Sequence, residues 1–116
     1  MIGEQQIKEI LAQYKKHGWN LRRVLLSADA SENLSAVFLR EQANIVSSEI
    51  NAAWFSRRSG DGRETWELRR LSGTPFALVE VFEEAEAEAA REKRRREVET
   101  RLKEQASKFG NKNVTN

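Results

Sequence analysis

Two short turn signals constrain the fold of this 116-residue chain more than any other feature of its sequence. Residues 59–62 (SGDG) and 72–75 (SGTP) supply side chains that tolerate a positive φ or initiate a turn. They separate three strand-like segments at residues 50–57, 64–71 and 76–82. A crossover between parallel strands needs a dozen or more residues. The three segments are therefore predicted to form an antiparallel meander.

The centres of the two loops predict which residues lie opposite each other in the meander. A loop centred on residues 60–61 places Phe55 opposite Trp66, and a loop centred on residues 73–74 places Trp66 opposite Val81. Closing the first loop one residue later shifts the partners by two and leaves both faces unchanged. The face predicted to form the core then carries Ala53, Phe55, Trp66, Leu68, Ala77, Val79 and Val81. The second face carries Trp54, Glu67, Arg69, Leu71, Phe76, Leu78, Glu80 and Phe82.

The chain before the meander is predicted to contain two helices and one strand. Apolar residues at helical spacing place the first helix at about residues 4–17, and these are Ile7, Ile10, Leu11 and Tyr14. Aromatic and β-branched content favours a strand over residues 19–26. A second helix is predicted at about residues 30–42, with a strand over residues 36–39 as the alternative.

The last third of the chain is predicted to be one long, highly charged helix. Residues 83–109 contain neither Gly nor Pro and consist largely of Ala, Glu, Lys and Arg, which are good helix formers. We expect the alanine-rich start to dock on the sheet and residues 91–97, which include no apolar side chain, to lie in water. Val98, Leu102 and Phe109 form a thin apolar stripe that engages loosely or dimerises.

Together these elements predict an α+β fold, in the order helix, strand, helix, three-stranded antiparallel meander and long charged C-terminal helix. Residues 1–82 are expected to form a compact α+β domain. Residues 83–110 are expected to be a helix that is part docked and part projecting, and residues 111–116 a frayed tail. The lack of a long apolar run and of a secretory signal at the N-terminus predicts a soluble, cytoplasmic protein without a membrane segment.

Charge and residue content weigh against several classes of function. The net charge of +2 is spread evenly, with 11 basic and 10 acidic residues in 1–82 and 9 and 8 in the rest, which lowers the expectation of nucleic-acid binding. With no cysteine and a single histidine, His17, no metal site and no cofactor are predicted. No catalytic constellation stands out, so the protein is expected not to be an enzyme. A deep cleft beside His17 or the Glu67/Glu80 face would change that expectation.

Seven apolar residues are the candidates for a protein interface. They lie on the second sheet face and on the long helix: Trp54, Phe76, Leu78, Phe82, Val98, Leu102 and Phe109. The aromatic and leucine members on the sheet would bury on the order of several hundred Å² against another surface. Cover by another part of the same chain is the simpler explanation. The functional hypothesis is docking of a protein partner or of a second copy, as in a homodimer.

A second hypothesis is association with nucleic acid through arginine side chains. The candidates lie at the predicted hairpin tip and in the helix: Arg57, Arg58, Arg63, Arg94, Arg95 and Arg96. Arginine suits bidentate recognition of phosphate or carboxylate, so an acidic partner would also fit. Because acidic residues are equally abundant, ion pairing within the chain, such as Arg57 with Glu64, is the simpler explanation. Nucleic acid therefore ranks below a protein partner.

Overall fold

The chain forms a five-stranded mixed sheet with helices on both faces. A computed structural model describes the backbone of residues 3–114 and the side chains of residues 3–107. The elements in chain order are α1 (Glu4–Lys16), β1 (Asn20–Leu26), α2 (Ala28–Arg40), β2 (Asn44–Ser47), β3 (Ala52–Arg58), β4 (Glu64–Arg70), β5 (Ala77–Phe82) and α3 (Glu88–Val114). The strands lie in the order β2-β1-β3-β4-β5. β1 and β2 are parallel, and the other neighbours are antiparallel.

The α+β class predicted from the sequence is confirmed, and β3, β4 and β5 form an antiparallel meander. The sequence prediction omitted β2, a strand of four residues that follows α2 closely. Its parallel pairing with β1 makes the sheet mixed rather than a meander throughout. The second predicted helix is present as α2, and the Ser27 side chain caps it by accepting a hydrogen bond from the Ala30 backbone N–H.

The predicted pairing within the meander is wrong by one residue. Trp66 lies opposite Ser56 and Glu80, where Phe55 and Val81 were predicted. The loops contain five residues between the paired Arg58 and Glu64 and seven between the paired Arg69 and Ala77, whereas the prediction assumed an even number. Because side chains alternate along a strand, a shift of one residue exchanges the two faces of a strand relative to its neighbour.

Two apolar layers replace the single predicted core. α1 and α2 cover the face formed by Val24, Leu26, Ala53, Phe55 and Leu71. α3 covers the face formed by Leu25, Ala52, Trp54, Trp66, Leu68 and Phe82. The predicted core face therefore combined residues from both layers, and Trp54 and Trp66 in fact share one face.

The packing of α3 reverses the predicted roles of its segments. The alanines at 85, 87, 89 and 90 are exposed, and the helix begins at Glu88, so the expectation that an alanine-rich start docks on the sheet is wrong. Arg95, expected in water, is only 3% exposed. Its guanidinium lies 4.5 Å from the Trp66 ring centroid and pairs with Glu92 at 3.0 Å. A charged side chain is buried here because an aromatic face and a carboxylate replace its water.

A polar network fastens α3 to the sheet beside its apolar contacts. Arg23 on β1 donates to Glu92 at 2.7 Å and to Glu99 at 2.9 Å. The Trp54 indole N–H donates to Glu99 at 2.8 Å. Burial alone would raise the pKa of Glu92, but hydrogen bonds from Arg23 and two neighbouring arginines outweigh it and lower the pKa to about 2. Glu92 is therefore ionised at neutral pH and holds the helix through Arg23.

Candidate functional site

On the α1/α2 face the two helices do not extend over the whole sheet. Among the described residues, their apolar contacts fall on β1, β2 and β3 and on Leu71 just after β4. The side chains of β4 and β5 on this face form an open surface, here called the shelf: Thr65, Glu67, Arg69, Ala77, Val79 and Val81. Val79 is 53% exposed and Val81 44%. The prediction that both valines belong to the core is wrong.

The outer border of the shelf is the free edge of the sheet, since β5 pairs with β4 alone among the described strands. The Arg70 backbone N–H donates to the Phe76 carbonyl at 2.8 Å, which sets the alternation of hydrogen bonds along β5. Ala77, Val79 and Val81 consequently direct their backbone N–H and C=O groups away from β4. The Val81 carbonyl accepts a hydrogen bond from Arg94 at 2.8 Å, so the accessible part of the edge begins before it.

A hollow of about 340 Å³ lies at the inner border of the shelf, beside the end of α1. Its walls come from α1, the turn after it, and strands β3 and β4. The lining residues are Gln13, Tyr14, His17, Trp19, Arg57, Glu67 and Arg69. Glu67 and Arg69 belong to both the hollow and the shelf, so the two form one continuous surface.

Arg57 lies in the wall of the hollow, where two contacts orient its exposed side chain. Its guanidinium lies 4.5 Å from the centroid of the Trp19 ring. One terminal nitrogen donates to the His17 carbonyl at 3.1 Å. The predicted pairing with Glu64 does not occur, because Arg57 lies opposite Thr65 and points to the other face of the sheet. Because stacking and the hydrogen bond already restrict the guanidinium, it would lose little further conformational freedom on binding a ligand.

The floor of the hollow contains a tyrosine and a carboxylate in direct contact. The Tyr14 hydroxyl donates to Glu67, and its ring stacks on Phe55 with centroids 3.8 Å apart. Burial, together with the hydrogen bond to Glu67, raises the pKa of Tyr14 to about 12, although Arg69 partly opposes this. Arg69 has a buried Nε with no hydrogen-bond partner among the described residues. The hollow thus holds two guanidinium groups and one carboxylate.

Tyr14 can be titrated directly because it is the single tyrosine of the chain. We expect its ultraviolet absorbance to change only near pH 12, and Glu67→Gln to move the transition toward the ordinary value of about 10 because the acceptor charge is lost. Glu32→Gln, an exposed change on α2, is the control and should leave the transition in place. A wild-type transition near pH 10 would show that Tyr14 and Glu67 are not in contact.

The seven residues predicted for a protein interface are covered by the chain itself, as far as the structure describes them. Trp54, Phe82, Val98 and Leu102 are buried in the layer under α3. Phe76 and Leu78 are partly buried against the same layer. Phe109 lies outside the residues whose side chains are described. The second sheet face thus carries the helix of its own chain.

The arginines predicted to meet nucleic acid or an acidic partner are dispersed. Of the six, only Arg57 lines the hollow, and Arg58 is exposed nearby. The others form ion pairs within the chain: Arg63 with Asp61 and Glu83, Arg94 with Glu80 and Glu86, Arg95 with Glu88 and Glu92, and Arg96 with Glu92. Their charges are therefore largely compensated locally.

The chain was compared with family models, curated proteins and solved structures, and none of them matches it. Within residues 3–114 no helix is long and apolar enough to cross a membrane. Among the side chains of residues 3–107, no three or more His, Asp or Glu residues form a cluster suited to a metal ion.

Proposed function

We propose that this protein is a non-enzymatic interaction module that docks a partner protein on the shelf and along the free edge of β5. The observation that carries this proposal is the exposure of Val79 and Val81 beside an unpaired strand edge. Exposed apolar side chains next to a free edge favour pairing with another chain, and proteins without such a partner usually cover or charge the edge.

The geometry favours addition of a strand from the partner. The outward N–H and C=O groups of Ala77 and Val79 supply backbone hydrogen bonds, as in β-augmentation. Alternate side chains of the added strand would lie on the shelf side, next to Val79 and Val81. Covering the exposed parts of these two valines would contribute about 1 kcal/mol each.

This location replaces the second sheet face of the sequence-based hypothesis. Trp54 and Phe82 already pack under α3 and offer no surface to a partner. The hollow lies beside His17 and Glu67, where a deep cleft would favour an enzyme. A binding role has more support than catalysis because Tyr14, with a pKa of about 12, is not poised for acid–base chemistry near neutrality. Nucleic acid has less support than a protein partner because most of the candidate arginines are paired with carboxylates.

Selection from a random peptide library tests the proposal without knowledge of the natural partner. Peptides enriched on the wild-type protein are expected to bind Val79→Glu/Val81→Glu at least about tenfold more weakly, equivalent to about 1.4 kcal/mol, as measured by fluorescence anisotropy. Leu39→Glu is the control, since Leu39 is another large exposed apolar residue, on α2 and away from the shelf. Both variants should retain the circular dichroism spectrum of the wild type because the substituted positions are exposed.

Two outcomes of this selection would contradict the proposal. Enriched peptides that bind the double valine variant as well as the wild type would place the docking site elsewhere. If no peptide is enriched and the protein does not self-associate, the shelf has no protein occupant and the proposal is wrong. A second copy as the occupant would appear as concentration-dependent sedimentation that the Val79→Glu/Val81→Glu change abolishes and Leu39→Glu preserves.

A further inference from the structure

We infer that the hollow is an anchor site for a carboxylate of the docked partner, so that the module recognises an acidic segment. The inference rests on the proposed function and adds the chemistry of the partner to it. Two guanidinium groups, Arg57 and Arg69, line the hollow against the single carboxylate of Glu67. The surplus positive charge faces a surface where a partner is expected to lie.

The carboxylate of Glu67 is already engaged within the chain. It accepts the Tyr14 hydroxyl hydrogen bond, which fixes it on the floor of the hollow. Arg57 donates one of its five N–H groups to the His17 carbonyl, and its stacking on Trp19 fixes the plane of the remaining donors. Guanidinium groups with their orientation set in advance bind a carboxylate with two parallel hydrogen bonds.

Arg69 is the second guanidinium that lines the hollow. Its Nε is buried and has no hydrogen-bond partner among the described residues. Leaving a buried donor unsatisfied costs about 1–3 kcal/mol, and the Nε of Arg91 on α3 is a second such group. A carboxylate oxygen entering the hollow would pair with Arg69, which lines it, and neutralise the surplus charge.

The distance between the hollow and the free edge predicts the spacing of the recognised segment. Arg57 is on β3, two strands inward from β5, which corresponds to about 10 Å. An extended chain advances about 3.3 Å per residue. The acidic residue is therefore expected about three to four residues from the part of the partner that pairs with β5, on the stretch that crosses the shelf. Because Val79 lies opposite Glu67, this stretch passes over apolar surface before it reaches the arginines.

The test uses the tightest peptide from the selection described above and measures dissociation constants by fluorescence anisotropy. We expect Arg69→Gln and Arg57→Gln each to weaken binding about tenfold or more, within the range for charge-assisted hydrogen bonds. Replacing the acidic residue of the peptide by its amide should cause a similar loss on the wild type and little further loss on Arg69→Gln. Arg58→Gln is the control, because Arg58 is an exposed neighbour that does not line the hollow.

The results separate failure of the anchor from failure of the docking site. Peptides that lose binding to Val79→Glu/Val81→Glu yet are indifferent to both arginine changes, or that carry no acidic residue at the expected spacing, would overturn the anchor and leave the docking site standing. If Arg69→Gln proves unstable, the Arg57→Gln protein and the amide peptide on the wild type decide the question. If Arg58→Gln weakens binding as much as Arg57→Gln and Arg69→Gln do, the effect comes from general positive charge. That result would also overturn the anchor.

Discussion

Leu102→Asp is expected to unfold a large fraction of the protein molecules rather than to change how they associate. Leu102 is fully buried and packs in the layer that also contains Trp54 and Val98. Truncation of such a leucine to alanine costs about 2–5 kcal/mol, and an unpaired buried carboxylate adds to that cost. The whole stability of a domain this size is about 5–15 kcal/mol.

Urea unfolding followed by circular dichroism and tryptophan fluorescence measures this effect. Lys103→Asp is the control: it introduces the same carboxylate one position along the helix, where the side chain is exposed, and should change stability by no more than about 0.5 kcal/mol. If Leu102→Asp kept wild-type stability and changed only self-association, α3 would have to lie in an interface between molecules, as the sequence pattern alone allowed.

Arg23→Met is expected to cost about 3 kcal/mol of folding free energy. The change removes the group that joins Glu92 and Glu99 of α3 to β1, and it leaves the largely buried Glu99 carboxylate with the Trp54 N–H as its remaining donor. Removal of one partner from a buried ion pair typically costs about 3–5 kcal/mol, at the lower end where one partner retains some water. Arg96→Met is the control, since Arg96 also pairs with Glu92 but is exposed.

The same network predicts an acid dependence of stability. The pKa of Glu92 is about 2 in the folded chain against 4.5 ordinarily, so its contribution is fully present above about pH 4.5 and is lost as the pH falls through about 2. Urea unfolding across this range should show a smaller acid loss in Arg23→Met than in the wild type, because part of the pKa depression is already gone. Equal acid sensitivity of the two proteins would exclude Arg23 as a cause of the depression.

Local sequence patterns were sufficient for most elements of the fold. The spacing of Ile7 and Tyr14 predicted α1, and the glycine-rich turns predicted the β3-β4-β5 meander. The pairing failed because it depended on whether each loop has an odd or even number of residues, which the turn residues do not reveal. The β2 strand was not predicted because its four residues, which come soon after a helix, are too few to show a strand pattern.

The candidate site could not have been predicted from the sequence, for two physical reasons. Tyr14 and Glu67 are separated by 53 positions and meet only through the true pairing of β3 and β4, which places Phe55 and Glu67 on one face. The exposure of Val79 depends on how much of the sheet two helices can cover, which is a property of the assembled layers. Burial of Arg95 likewise depends on Trp66 and Phe82 lying beneath it.

Amide hydrogen exchange of the protein with and without its tightest selected peptide tests the docking site most directly. We expect the peptide to slow exchange of the Ala77 and Val79 amides, which point outward from the free edge, and to leave the exposed start of α3 unchanged. Slowed exchange confined to α3 or α2, with the β5 amides unaffected, would contradict the assignment of the shelf and the β5 edge as the site of partner docking.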